Sequence, residues 1–129
     1  MPAAYYLAAW DTILAVLLTF MLSGRVGYLR GRLKIDAPAT TGHPEFERGF
    51  RTHANTVENL LLFLPLLWLA TIFYGGQIPF WLGVGWIISR IIYAFGYAQT
   101  NTQMRGPGMG LSFLALIGLA VVSVIGLIR

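Results

Sequence analysis

Pro44-Glu45-Phe46-Glu47-Arg48-Gly49-Phe50-Arg51-Thr52-His53-Ala54-Asn55-Thr56-Val57-Glu58-Asn59 stands directly before an apolar run, Leu60 to Tyr74. By itself that run is too short for a bilayer, which takes about 20 helical residues to cross. It reaches that length only if the polar stretch belongs to the same helix. Pro44 suits the first turn of such a helix, and Glu45 and Glu47 complement the positive end of its dipole. The fold therefore turns on reading a charged stretch as the entrance of a membrane span.

Outward from this stretch lie three more apolar segments. Tyr5 to Leu22 is interrupted by Asp11, Ile78 to Tyr97 contains Arg90, and Met109 to Ile128 carries no charge. All are rich in β-branched residues, yet a lipid-exposed span must satisfy its backbone internally, which favours helix. Composition agrees: 57% of the 129 residues are hydrophobic, 11% are charged, and mean hydropathy is +0.67. A soluble domain carries about 25% charged residues. No Lys or Arg precedes the first segment and no small-residue cleavage site follows it, so it reads as a permanent span. The expectation is an all-α, integral membrane four-helix bundle, one domain over residues 1–129. Cysteine is absent, which excludes a disulfide framework, thiolate metal ligation and a cysteine nucleophile. Two histidines, His43 and His53, do not form a metal cluster, so no metal is expected.

The basic residues gather at one face. Arg25, Arg30, Arg32, Lys34, Arg48 and Arg51 flank the first linker, and Arg90 and Arg105 lie near the third. By the positive-inside rule both linkers are cytoplasmic and both termini are not. A bacterial inner membrane or an endoplasmic reticulum membrane would suit this topology. The net charge of +4 thus describes one face, and it predicts an anionic ligand. Nucleic acid is a poor fit, because no soluble module presents the cations.

Helical spacing arranges the polar residues further. At about 100° per residue, Arg48, Arg51, Asn55 and Glu58 fall in a stripe about 80° wide, and His53 points elsewhere. An ionisable group at the bilayer centre costs about 2.5–3.5 kcal/mol, so such a row calls for internal pairing or a polar ligand. In the third segment Trp86, Arg90, Tyr93 and Tyr97 share one face. Interfacial tyrosines alone are ordinary anchors; opposite the first stripe, they predict a polar cleft open to the cytoplasm.

The run Glu47-Arg48-x-x-Arg51-x-x-x-Asn55-x-x-Glu58 closely resembles the signature of the MAPEG family, the membrane-associated proteins in eicosanoid and glutathione metabolism. Thr40-Thr41-Gly42-x-Pro44-Glu45-Phe46 and Arg90-x-x-Tyr93-x-x-Gly96-Tyr97 extend the resemblance, which is to the leukotriene C4 synthase and microsomal glutathione transferase branch. It implies a homotrimer with glutathione as co-substrate between neighbouring subunits, and a lipophilic second substrate arriving from the bilayer. The activity implied is glutathione transfer to a lipophilic electrophile, with lipid-hydroperoxide peroxidase activity beside it.

By the same resemblance Arg51, Asn55, Glu58, Tyr93 and Tyr97 contact glutathione, and Arg30 reaches it from the adjacent subunit. His53 stands where related chains place a glutamine that touches the peptide. Arg48 and Arg90 complete the binding set, and Arg105 takes the place of the catalytic arginine that stabilises the thiolate. Gly106-Pro107-Gly108 after Arg105, Gly31 and Asn59 depart from the family pattern, and the last two argue against leukotriene synthesis. Two other readings stand beside the enzyme: a non-catalytic lipid-binding scaffold, and a small transporter using Asp11 as its coupling acid. Structural roles compete at several positions. Arg25, Arg32 and Lys34 suit interfacial anchors, and Glu47 can pair with Arg48 as readily as bind. Asp11 suits a partnered or shallow place, and Gly83, Gly85, Gly110, Gly118 and Gly126 suit close helix packing.

Overall fold

The computed structural model describes the backbone of residues 1–98 and 105–129, and side chains for 1–96 and 106–129. Four helices account for most of it: α1 (Ala3–Leu33), α2 (Pro44–Phe73), α3 (Ile78–Ala98) and α4 (Arg105–Ile128). Each is long and apolar enough to cross a membrane. The second begins at Pro44, so the charged stretch and the apolar run form one continuous helix. His43 caps it, its Nδ1 accepting a hydrogen bond from the backbone N–H of Glu45 at 3.1 Å.

The first helix departs from its apolar pattern, which ends at Leu22. It continues to Leu33. The added turns include Arg25, Arg30 and Arg32 and bury Val26 and Leu29 in a cluster with Phe46. Its length follows a packing face, which a count of apolar residues does not register. Lys34 ends it in the left-handed conformation at φ 56°, and the Ile35 N–H returns to the Arg30 carbonyl. Arg30 and Arg32 in the last turn complement the helix dipole.

Neighbouring helices alternate in direction. The pairs Thr12–Trp68 and Leu29–Gly49 set α1 antiparallel to α2, and Asp11 at Gly83 with Leu22 beside Ala94 sets it parallel to α3. Ser89–Ser112 and Leu82–Gly118 set α3 antiparallel to α4. The core of the apolar half is Trp86 stacked on Phe63 (centroids 4.1 Å apart, planes 4° from parallel) with Ala15, Leu67 and Leu119 around them. Large apolar side chains such as Phe20, Leu61, Leu114 and Val124 face outward, as lipid requires.

Lipid tails are as apolar as leucine, so close approach and hydrogen bonds, more than apolar burial, hold these helices together. Three of the glycines expected at contacts do lie there. Gly83 meets Asp11 and Leu67, Gly118 meets Leu82, and Gly126 meets the Phe73–Tyr74 backbone. Gly85 and Gly110 face open space, while Gly49 and Gly108, which helix spacing did not single out, sit against Leu29 and Tyr93. Asp11 also departs from expectation. It is not partnered: its carboxylate is fully buried against Gly83, and neither oxygen has a hydrogen-bond partner among the described residues.

Candidate functional site

Helix α2 buries the face of Thr52, Thr56, Phe63 and Leu67. The stripe Arg48–Arg51–Asn55–Glu58 lies about 100° round from that face, by helix geometry. Burial follows the angle. Asn55 and Arg48, nearer the buried face, are half-buried, whereas Arg51 and Glu58 are exposed on the outer flank. His53 is half-buried on another side. At the basic end Thr40, Glu47, Arg48, Phe50 and Arg51 line a hollow of about 400 Å³, within the range of small-ligand sites. Glu47 and Arg48 form no ion pair, and the Arg48 Nε is buried with no hydrogen-bond partner among the described residues. The ion pair seen among those residues joins Arg32 to Glu45 and ties the end of α1 to the start of α2. Arg30 reinforces the same corner. It donates to the carbonyls of Ala39 at 2.8 Å and Ile35 at 3.4 Å, and its guanidinium lies over the Phe46 ring.

The α3 stripe is placed differently from the open cleft its spacing predicts. Arg90 is 0% exposed and Tyr93 is 1% exposed, both inside the bundle. The two stripes do meet, because Arg90 donates to Asn55 Oδ1 at 2.7 Å, but they meet where the chain is packed shut. Arg90 also donates to Thr56 Oγ1 at 3.1 Å and Ser112 Oγ at 3.3 Å, with its Cζ 4.2 Å from the Tyr93 ring centroid. Ser112 is held in turn by Ser89, 2.7 Å away, and by donating to the Gly108 carbonyl at 2.9 Å. No carboxylate pairs with Arg90 among the described residues. A buried arginine without a counter-ion depends on its hydrogen bonds, and here α2, α3 and α4 each contribute to its surroundings.

Thr56, Ser89 and Ser112 therefore belong to the site's foundation, and sequence reasoning missed them. Their signal was present: hydroxyls in apolar helices at positions whose register approaches an intramembrane arginine. The side chains of Tyr97 and Arg105 lie outside the described residues. A second hollow, of about 450 Å³, is apolar and opens between α1 and α3 beside Leu17, Met21, Ile91 and Phe95.

Four membrane-length helices enclosing a buried arginine network, with a charged stripe on one flank, define an integral membrane bundle with a polar site at its basic end. The chain belongs to the MAPEG family, which it matches over residues 7–125. It is 40% identical over 120 residues to an uncharacterized protein of Synechocystis, covering 92% of this chain and 88% of that one. It is 38% identical to leukotriene C4 synthase of Bos taurus over 78% of this chain and 67% of the relative. It is 36% identical to human microsomal glutathione S-transferase 2 over 74% and 65% respectively. The chain thus spans about two thirds of the length of these mammalian relatives.

Proposed function

We propose that this protein conjugates glutathione to a lipophilic electrophile, acting as a homotrimer that holds glutathione between neighbouring copies. The observation that carries the reading is the outer flank of α2, where Arg51 and Glu58 are exposed beside the half-buried Asn55. A helix that crosses a membrane does not present a cation and a carboxylate to hydrocarbon at low cost. A second copy and a zwitterionic ligand would cover both. Glu58 suits the amino group of glutathione and Arg51 a carboxylate, and Asn55 supplies a neutral contact between them. The basic linkers face the cytoplasm, where glutathione enters, and the lipophilic acceptor reaches the site from the bilayer. The names of the mammalian relatives support the activity.

In the reaction the thiolate sulfur attacks the electrophilic carbon and a C–S bond forms. The displaced pair leaves with the leaving group or moves onto a conjugated acceptor, and the thiol proton goes to solvent. A free thiol titrates near 8.5, so only a small fraction is thiolate at neutral pH. Lowering that value by two units takes about 2.7 kcal/mol of preferential stabilisation, which one arginine in a low-dielectric site can supply. Arg105 is the residue assigned that role. Reduction of a lipid hydroperoxide would use the same thiolate: the sulfur attacks the terminal oxygen, the O–O bond breaks to release the lipid alkoxide, which takes up a proton, and a second glutathione converts the sulfenic acid to glutathione disulfide and water.

Calorimetry on the purified protein is the test. Glutathione should bind with micromolar to millimolar affinity, and Glu58→Ala should weaken it about tenfold or more. A wild-type protein that shows no binding would rule out both enzyme and site.

A further inference from the structure

Among the described residues Arg90 is the largest fully buried polar side chain, and catalysis through Arg105 does not use it. We infer that Arg90 is a positioning residue: it turns the Asn55 amide so that the NH2 group, and not the oxygen, faces the glutathione site. This rests on the glutathione reading above and gives a role to a residue that cannot touch ligand from its place inside the chain.

A guanidinium has five N–H donors and no acceptor. The atom of Asn55 that faces it at 2.7 Å must therefore be the amide oxygen. The NH2 group then points away from Arg90, toward the flank that carries Arg51 and Glu58. A flipped amide would set donor against donor beside a fully buried guanidinium.

The guanidinium is itself held in orientation. Thr56 and Ser112 accept from it, and Tyr93 lies under it. Gly108 lets α4 approach the Tyr93 backbone closely enough for Ser112 to reach. Three helices thus fix one side-chain amide. A charged donor also polarises its partner, so the outward N–H of Asn55 becomes a stronger donor than a solvated amide. The group it recognises is an acceptor, a carboxylate or peptide carbonyl of glutathione, while Glu58 recognises the ammonium. Recognition along α2 therefore runs cation, donor, anion.

A double-mutant cycle on the full chain in detergent or lipid nanodiscs tests this, with glutathione affinity measured for wild type, Arg90→Lys, Asn55→Ala and the pair. Lysine keeps the charge and loses the planar fork. In the wild-type background Arg90→Lys should weaken binding about tenfold. With Asn55 already alanine, the same change should alter affinity by no more than about twofold, the error of additivity. Equal factors in both backgrounds overturn the inference and leave the glutathione reading standing. No binding to the wild type overturns the glutathione reading, and the inference falls with it. Asn55→Asp provides a second reading that keeps the fold. Its carboxylate pairs with Arg90 but offers the ligand only an acceptor. It should melt no lower than wild type and bind glutathione more than about tenfold more weakly. Wild-type affinity in Asn55→Asp overturns the donor role.

Discussion

Replacing Gly108 with alanine would place a Cβ 2.6 Å from the backbone nitrogen of Tyr93 and 2.8 Å from its Cα. Ordinary contact begins at 3.4 Å, so relief of the nearest clash requires a displacement of about 0.8 Å. The obstruction is helix backbone and cannot rotate aside as a side chain would, so α4 must move off α3. The Arg90–Ser112 hydrogen bond, already 3.3 Å long, then passes the distance at which it counts as one. Overpacking costs about 1–3 kcal/mol and the loss of one partner of a buried charged donor about 1–3 more. Destabilisation of about 2–6 kcal/mol is expected. Gly110, two residues along the same helix, is the control. A Cβ there meets nothing within 4 Å, and alanine should stabilise the helix by up to about 1 kcal/mol. Thermal unfolding in a fixed detergent, at a fixed scan rate, followed by tryptophan fluorescence, measures both variants. If Gly108→Ala melts with Gly110→Ala, or above it, the close approach of α3 and α4 does not carry the stability assigned to it.

Gly83→Ala should likewise lower the melting temperature by the equivalent of about 1–3 kcal/mol, because its Cβ enters the space of the Asp11 carboxylate. Adding Asp11→Ala removes that carboxylate together with an unmet buried polar group, so the double variant should melt at or above wild type; a double variant no better than Gly83→Ala alone would refute this account. For the chemistry, Arg105→Ala should retain glutathione binding and lose the ultraviolet thiolate absorbance of the bound ligand at neutral pH, its thiol returning toward about 8.5. An unchanged absorbance would move the thiolate role to another residue.

Much of the architecture is legible along the chain because lipid imposes a simple rule. A span needs length, apolarity and a self-satisfied backbone, and four segments meet those demands once Arg51 through Asn59 are counted into the second. The helix 2 stripe is legible for a related reason, since helical spacing alone places Arg51, Asn55 and Glu58 on one flank. The end of α1 was not legible, because Arg25 and Arg30 look like a linker until Leu29 is seen packed near Phe46. The enclosure of Asp11 was not legible for the same cause, since it depends on Gly83, a residue distant in sequence.

What the amino-acid order determined by itself was four membrane helices, a basic end and a charged stripe on α2. Those properties depend on composition and on a fixed angle per residue. Tertiary structure decided which polar groups lie on an exposed flank and which face one another. Arg90 and Asn55 are 35 residues apart, and their direct hydrogen bond follows from how α2, α3 and α4 pack. Spacing places a residue on one side of its own helix. Whether that side looks into an open site or into a neighbouring helix is settled by close contacts such as Gly108 against Tyr93, where a single methyl group would change the answer.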